Sequence, residues 1–118
     1  MLRRVAVAIV LALPLGACDA ITEVGRELAV GLSTDRQNIR AGQPFEIRYV
    51  ATGSALVQLV IDPGDGSAQQ TVDLFGSQSA DGHVNHTYPE AGTYEVSAVA
   101  SEFDGRTRTA RMTLVIAQ

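Results

Sequence analysis

The stretch His86-Thr87-Tyr88-Pro89-Glu90-Ala91-Gly92-Thr93-Tyr94-Glu95-Val96 decides the fold, with Asp62-Pro63-Gly64-Asp65-Gly66-Ser67 upstream in support. Glu90-Ala91-Gly92-Thr93-Tyr94 fits a corner in which a turn glycine precedes a tyrosine at the head of a strand, so that the hydroxyl bonds back to upstream backbone. A corner of this kind belongs to an antiparallel β-sandwich. The residue two beyond the tyrosine points into the core, and here it is Val96. An antibody-type domain has a disulfide cysteine at that place. This chain has one cysteine in all, which cannot make an internal bridge, so the domain must hold itself by packing.

Working outward, period-2 alternation marks the strands. Residues 28–32 form a short first strand, and 35–44 a polar connection bearing Gly and Pro. Phe45-Glu46-Ile47-Arg48-Tyr49 alternates apolar with charged, the pattern of a half-buried strand. Thr52-Gly53-Ser54 turns the chain into 56–61. The Asp62 to Ser67 turn leads into 71–75, and 76–82 reads as a polar loop. Residues 93–100 follow the tyrosine corner, Asp104-Gly105 is a hairpin turn, and 106–116 closes the sheet. Strands about every dozen residues, with turn signals between them and no helix of useful length, predict an all-β sandwich of about seven strands. The expected core is Phe45, Ile47, Tyr49, Val57, Leu59, Ile61, Val72, Leu74, Val84, Tyr94, Val96, Ala98, Met112, Leu114 and Ile116.

Gly64-Asp65-Gly66-Ser67, then His86-Thr87-Tyr88, then Gly92-Thr93-Tyr94-Glu95-Val96, in that order, resemble the polycystic kidney disease (PKD) domain pattern. That family's core reads Trp-Asp-Phe-Gly-Asp-Gly, followed by His-Thr-Tyr and Gly-Thr-Tyr-x-Val. The resemblance spans roughly residues 28–117. Ile61 stands where the family has tryptophan and Pro63 where it has phenylalanine; the fold needs only an apolar residue at the first place. The resemblance implies an extracytoplasmic, immunoglobulin-like sandwich of seven strands, found in surface and secreted proteins and credited with protein or polysaccharide contacts. It implies no catalytic residue.

If Ile61 takes the family tryptophan's inward position, Val57 and Leu59 share its face, and Leu56 and Val60 point outward. By the same phase, Val99 and Val115 point outward from the strands holding Val96 and Leu114. Leu56, Val60, Val99 and Val115 would then form an apolar patch on one sheet face. Such a patch can mark a partner surface, although β-branched residues on solvated faces are also ordinary sheet formers.

The chain is 118 residues long, the size of one domain. Its start reads as a signal: Leu2-Arg3-Arg4 is a positive n-region, residues 5–13 an apolar run too short to span a bilayer, and Leu15-Gly16-Ala17 supplies small residues before Cys18. Leu15-Gly16-Ala17-Cys18 resembles the bacterial lipobox, whose cysteine thiol is diacylated before the bond preceding it is cut. The coincidence of n-region, apolar run, box and lone cysteine favours it over an ordinary signal peptide cut near Ala17 or Ala20. The expected organisation is a lipoprotein signal peptide at 1–17, a short tether at 18–27 and the sandwich at 28–118. Two or three acyl chains hold a protein on a membrane persistently. The residues from Asp19 to Glu27 reach about 30 Å when extended, which keeps the domain close to the bilayer.

All nine basic residues are arginines. Removing Arg3 and Arg4 with the signal leaves 9 − 2 = 7 positive against 13 negative charges, a net of 7 − 13 = −6. Phosphate backbones repel so acidic a domain, which excludes nucleic acid as a partner. Anionic headgroups repel it too, leaving membrane attachment to the lipid.

Asp62, Asp65, Asp81 and Asp104 sit in turns and loops, but they lack the alternating acids of a calcium loop. Asp in such turns satisfies its own backbone. His83 and His86 can be drawn with Ser79, Asp81 or Ser97 as a hydrolase triad, yet no strained elbow or oxyanion hole accompanies them. Two histidines without a thiol make no zinc set, and His86 is more simply a member of the His-Thr-Tyr corner. Tyr88 reads as packed rather than as a sugar platform, and the chain has no tryptophan. The sequence therefore points to an exported, lipid-anchored, non-catalytic module without cofactor or metal. Its expected place is the periplasmic side or the surface of a bacterial membrane, in contact with an envelope protein. The alternative is a polysaccharide-binding module.

Overall fold

The computed structural model describes residues 27–118. Six strands occupy them: β1 (Ala29–Thr34), β2 (Ile39–Arg40), β3 (Phe45–Asp62), β4 (Gln70–His86), β5 (Gly92–Glu102) and β6 (Thr107–Ala117). Hydrogen bonding runs in the order β1-β3-β5-β6-β2, with β4 also on β3. All pairs are antiparallel except β2 with β6, where Ile39 meets Ile116.

Two long strands serve both layers of the sandwich. The first half of β3 holds β1 and the second half of β4, pairing Phe45 with His86 and Ile47 with Thr34 and Val84. The second half of β3 holds β5 and the first half of β4, pairing Val60 with Val99 and Thr71. Where the sequence suggests a turn at Thr52-Gly53-Ser54 and a loop over 76–82, the strands run on, while the expected connection 35–44 contains the short β2, so six elements stand in place of about seven. The bends have local causes. At Gly53 a Cβ would collide with Glu102 Oε2, and that carboxylate accepts hydrogen bonds from the Ser54 and Ala55 amides. In β4, Phe75 (φ 54°) and Gly76 (φ 79°) are left-handed, turning the strand without breaking it.

The same bend corrects the phase of β3. Register shifts on both sides of Leu56 move it inward, where it is fully buried, and leave Val57 half-buried. Leu56 therefore belongs to the core and not to the outer face. The rest of the expected core is buried or packed against it, joined by Leu28, Ile39, Ala51, Tyr88 and Ala100. Each large side chain fully buried contributes about 1.5–3 kcal/mol, which lets the domain cohere without a disulfide.

Candidate interaction surfaces

One end of the sandwich is built by the Asp62 to Ser67 turn and the corner from His86 to Tyr94. Asp62 Oδ1 accepts from the Gly64 amide at 2.9 Å, and Asp65 Oδ1 from the Ser67 amide at 3.0 Å and from the Ser67 hydroxyl. The turn demands glycine at 64, where φ is +83° and a Cβ would run into the Glu95 carbonyl oxygen. Asp65 Oδ2 lies 2.9 Å from His86 Nε2. An ionised carboxylate can only accept, so Nε2 carries the proton of that bond. Burial works to raise the Asp65 carboxyl, but the Ser67 hydroxyl and amide and the His86 ring outweigh it and hold it down at about 2.

The His86 ring meets Tyr88 edge-on at 4.6 Å, and Tyr88 stacks between Phe45 at 5.7 Å and Tyr94 at 4.3 Å. The Tyr88 hydroxyl, fully buried, donates to the Pro63 carbonyl at 2.8 Å and ties the two turns together. Burial, with the nearby Asp65 charge, pushes its pKa up to about 12, so it remains a donor. Tyr94 donates to the Glu90 carbonyl at 2.8 Å, the back-bond expected of the corner tyrosine.

These bonds decide what the polar residues can do. A nucleophilic triad needs the imidazole between hydroxyl and acid. Here the carboxylate of Asp65 sits between Ser67 and His86. His83 faces the other way, 3.7 Å from Glu46 on the outer face. Ser79 pairs across from Thr52, and Ser97 across from Asp62 and Arg111. The structure brings none of these serines to a histidine. The four aspartates are also dispersed: Asp62 and Asp65 share one turn, Asp81 lies in β4 opposite Val50, and Asp104 accepts from the Arg106 amide in the β5–β6 hairpin. Among the described residues no three His, Cys, Asp or Glu side chains gather as a metal set.

Of the expected apolar face, three members remain. Val60 and Val99 are directly opposed and half-buried, the centre of a row Thr71, Val60, Val99 and Thr109 that crosses four strands. Val115 is 72% exposed and lies apart, opposite Thr93. A row of β-branched residues is good sheet chemistry in itself, and an exposed Glu95 to Arg111 ion pair at 3.9 Å separates it from Val115. Cys18 lies outside the described residues.

The opposite end holds what sequence reading missed. Phe75 is 87% and Phe103 73% exposed, and Phe103 Cε2 lies 3.4 Å from where a Cβ on Gly76 would stand. The visible signal was a phenylalanine directly before a turn in each case, Phe75-Gly76 and Phe103-Asp104-Gly105. A bulky apolar residue there has no core to enter.

The PKD domain family matches residues 32–115. Among solved structures, the PKD domain of an M14-like peptidase from Thermoplasmatales archaeon SCGC AB-540-F20 is 19% identical, with a TM-score of 0.61 over 75% of this chain and 93% of that one. The PKD1 domain of Vibrio anguillarum Epp is 15% identical, with a TM-score of 0.54 over 79% and 96%. A CARDB domain of Pyrococcus furiosus PF1109 is 14% identical, with a TM-score of 0.59 over 77% and 93%. No curated protein matches. At these identities the structures speak for the fold alone, and the family match covers most of the chain: it belongs to the PKD domain family.

Proposed function

We propose that this chain is exported to the bacterial envelope, held on a membrane by lipid at Cys18, and acts as a non-catalytic accessory that contacts an envelope protein. PKD domains are immunoglobulin-like modules of protein or carbohydrate contact, often in extracellular proteins. The observation that carries the non-catalytic part of the reading is the corner itself: Asp65, Ser67, His86 and Tyr88 are spent on one another and on backbone, so the corner's own histidine and serine are not arranged as base and nucleophile. The outer face around Val60 and Val99, flanked by Thr71 and Thr109, offers an uncharged, partly apolar row for a partner, the composition favoured at the core of a protein interface. A polysaccharide is the second reading, favoured by the exposed aromatic pair Phe75 and Phe103.

Crosslinking capture from intact envelopes separates them. The native chain is compared with Cys18→Ser and with a Val60→Arg/Val99→Arg double variant. One protein recovered in a manner that needs both Cys18 and the face supports the proposal. Recovery of cell-wall or capsule polymer alone, indifferent to the face, supports the glycan reading.

A further inference from the structure

The exposed phenylalanines lie at the same end of the sandwich as the chain's entry. Thr52 Oγ1 donates to the Glu27 carbonyl at 3.4 Å, and Arg108 Nη1 to the Leu28 carbonyl at 3.3 Å. Ala29 pairs with Thr52, three residues before Ala55, whose carbonyl accepts from the Phe103 amide at 3.1 Å. Leu56 pairs with Ser77, next to Gly76 and Phe75. Glu27, Phe75 and Phe103 thus share one end. The corner of His86, Tyr88 and Pro63 occupies the other, where Ile116 pairs with Gly92.

Phe75 is exposed at some conformational expense. Its φ of 54° lies in the left-handed region that a bulky residue rarely enters, and it places the ring in solvent. Backbone of that kind marks a place where something other than local packing has selected the residue. The surrounding charge does not favour anionic lipid: Arg106 is bonded to Asp104 and Glu102, and Arg108 donates to the Leu28 carbonyl.

We infer that Phe75 and Phe103 form a membrane-docking tip that enters the headgroup and acyl boundary of the bilayer, fixing the sandwich upright on its anchor. The inference rests on the reading that Cys18 carries lipid. A tether reaching about 30 Å at most starts at the tip's own end, so an anchored domain presents these rings to the membrane first. Rings at a bilayer surface bury apolar area without needing charge attraction.

The chain has no tryptophan, so a single Trp is a unique reporter. Phe75→Trp and Phe103→Trp are compared with Glu90→Trp at the opposite end, each purified from bacterial membranes and reconstituted in phosphatidylcholine vesicles with and without brominated acyl chains. Residues 75 and 103 are expected to lose about half their fluorescence to bromine and residue 90 almost none, since tip residues of this type sit within ~5–10 Å of the boundary. The losses should not change with salt. Equal, negligible quenching at all three positions overturns the inference. The mass of the amino-terminal peptide reports the anchor separately. A lipidated chain without quenching removes the tip and keeps the anchor; an unlipidated chain still quenched at 75 and 103 when added to vesicles keeps the tip and removes the anchor.

Discussion

Tyr88 and Tyr94 stack at 4.3 Å and each donates a 2.8 Å hydrogen bond to a backbone carbonyl, but only the Tyr88 bond is buried. Replacing each with phenylalanine is therefore the same chemical change in two environments. In Tyr88→Phe the Pro63 carbonyl loses its donor where water cannot replace it, and a buried polar group so treated costs about 1–3 kcal/mol. In Tyr94→Phe water can replace the donor, and the cost should stay below about 1 kcal/mol. For a domain of this size 1 kcal/mol moves Tm by about 4–8 °C, so Tyr88→Phe should melt well below the native chain and Tyr94→Phe only slightly below it. Urea unfolding of the two variants, followed by circular dichroism, gives both values on one scale. If Tyr94→Phe proves as costly as Tyr88→Phe, the hydroxyl that ties the two turns together is not what stabilises this corner.

Three further outcomes follow from the structure. Glu102→Ala removes the buried carboxylate that accepts from the Ser54 and Ala55 amides and from Arg106, and should cost about 2–3 kcal/mol in urea unfolding, with Glu102→Gln costing less. Gly64→Ala, which forces a Cβ toward the Glu95 carbonyl at φ +83°, should cost at least about 2 kcal/mol, whereas Gly66→Ala at φ +87° in open space should cost about 1. Asp65 is held at about 2 in the folded chain against 3.8 ordinarily, with its side chain 7% exposed, worth about 2 kcal/mol. A lowered folded value means that this stability is present above pH 3.8 and is lost as pH falls toward 2; Asp65→Asn should lose it at neutral pH and flatten that part of the pH–stability curve.

The corner was legible because its residues act locally. Gly92 to Tyr94 and Asp62 to Ser67 encode their turns within a few residues, so the sandwich, the Tyr94 back-bond and most of the core could be read from type and spacing. What was not legible depends on distant partners. Gly53 looks like a turn glycine, but its role is to admit a carboxylate 49 positions away (102 − 53), and this keeps β3 continuous while shifting Leu56 inward. Strict alternation cannot see such irregularities: the two register shifts that flank Leu56 reverse its face, while Tyr49 before them and Leu59 and Ile61 after them keep theirs. His86 reads from sequence as a member of its corner, yet its bond to Asp65 joins two turns that only the folded chain brings together. Phe75 reads as a strand end, and its left-handed backbone carries no mark in the sequence beyond the glycine that follows it.

Attachment to a membrane through Cys18 is the property proposed here for this PKD domain. Intact mass measurement of the native chain and of Cys18→Ser, each recovered from fractionated bacterial cells, tests it most directly. The native chain is expected in the membrane fraction, beginning at Cys18 and carrying two or three acyl groups, and the Cys18→Ser chain is expected to be unacylated and not cut at that position. A native chain in the soluble fraction, beginning after Cys18 or with a bare thiol there, would contradict it.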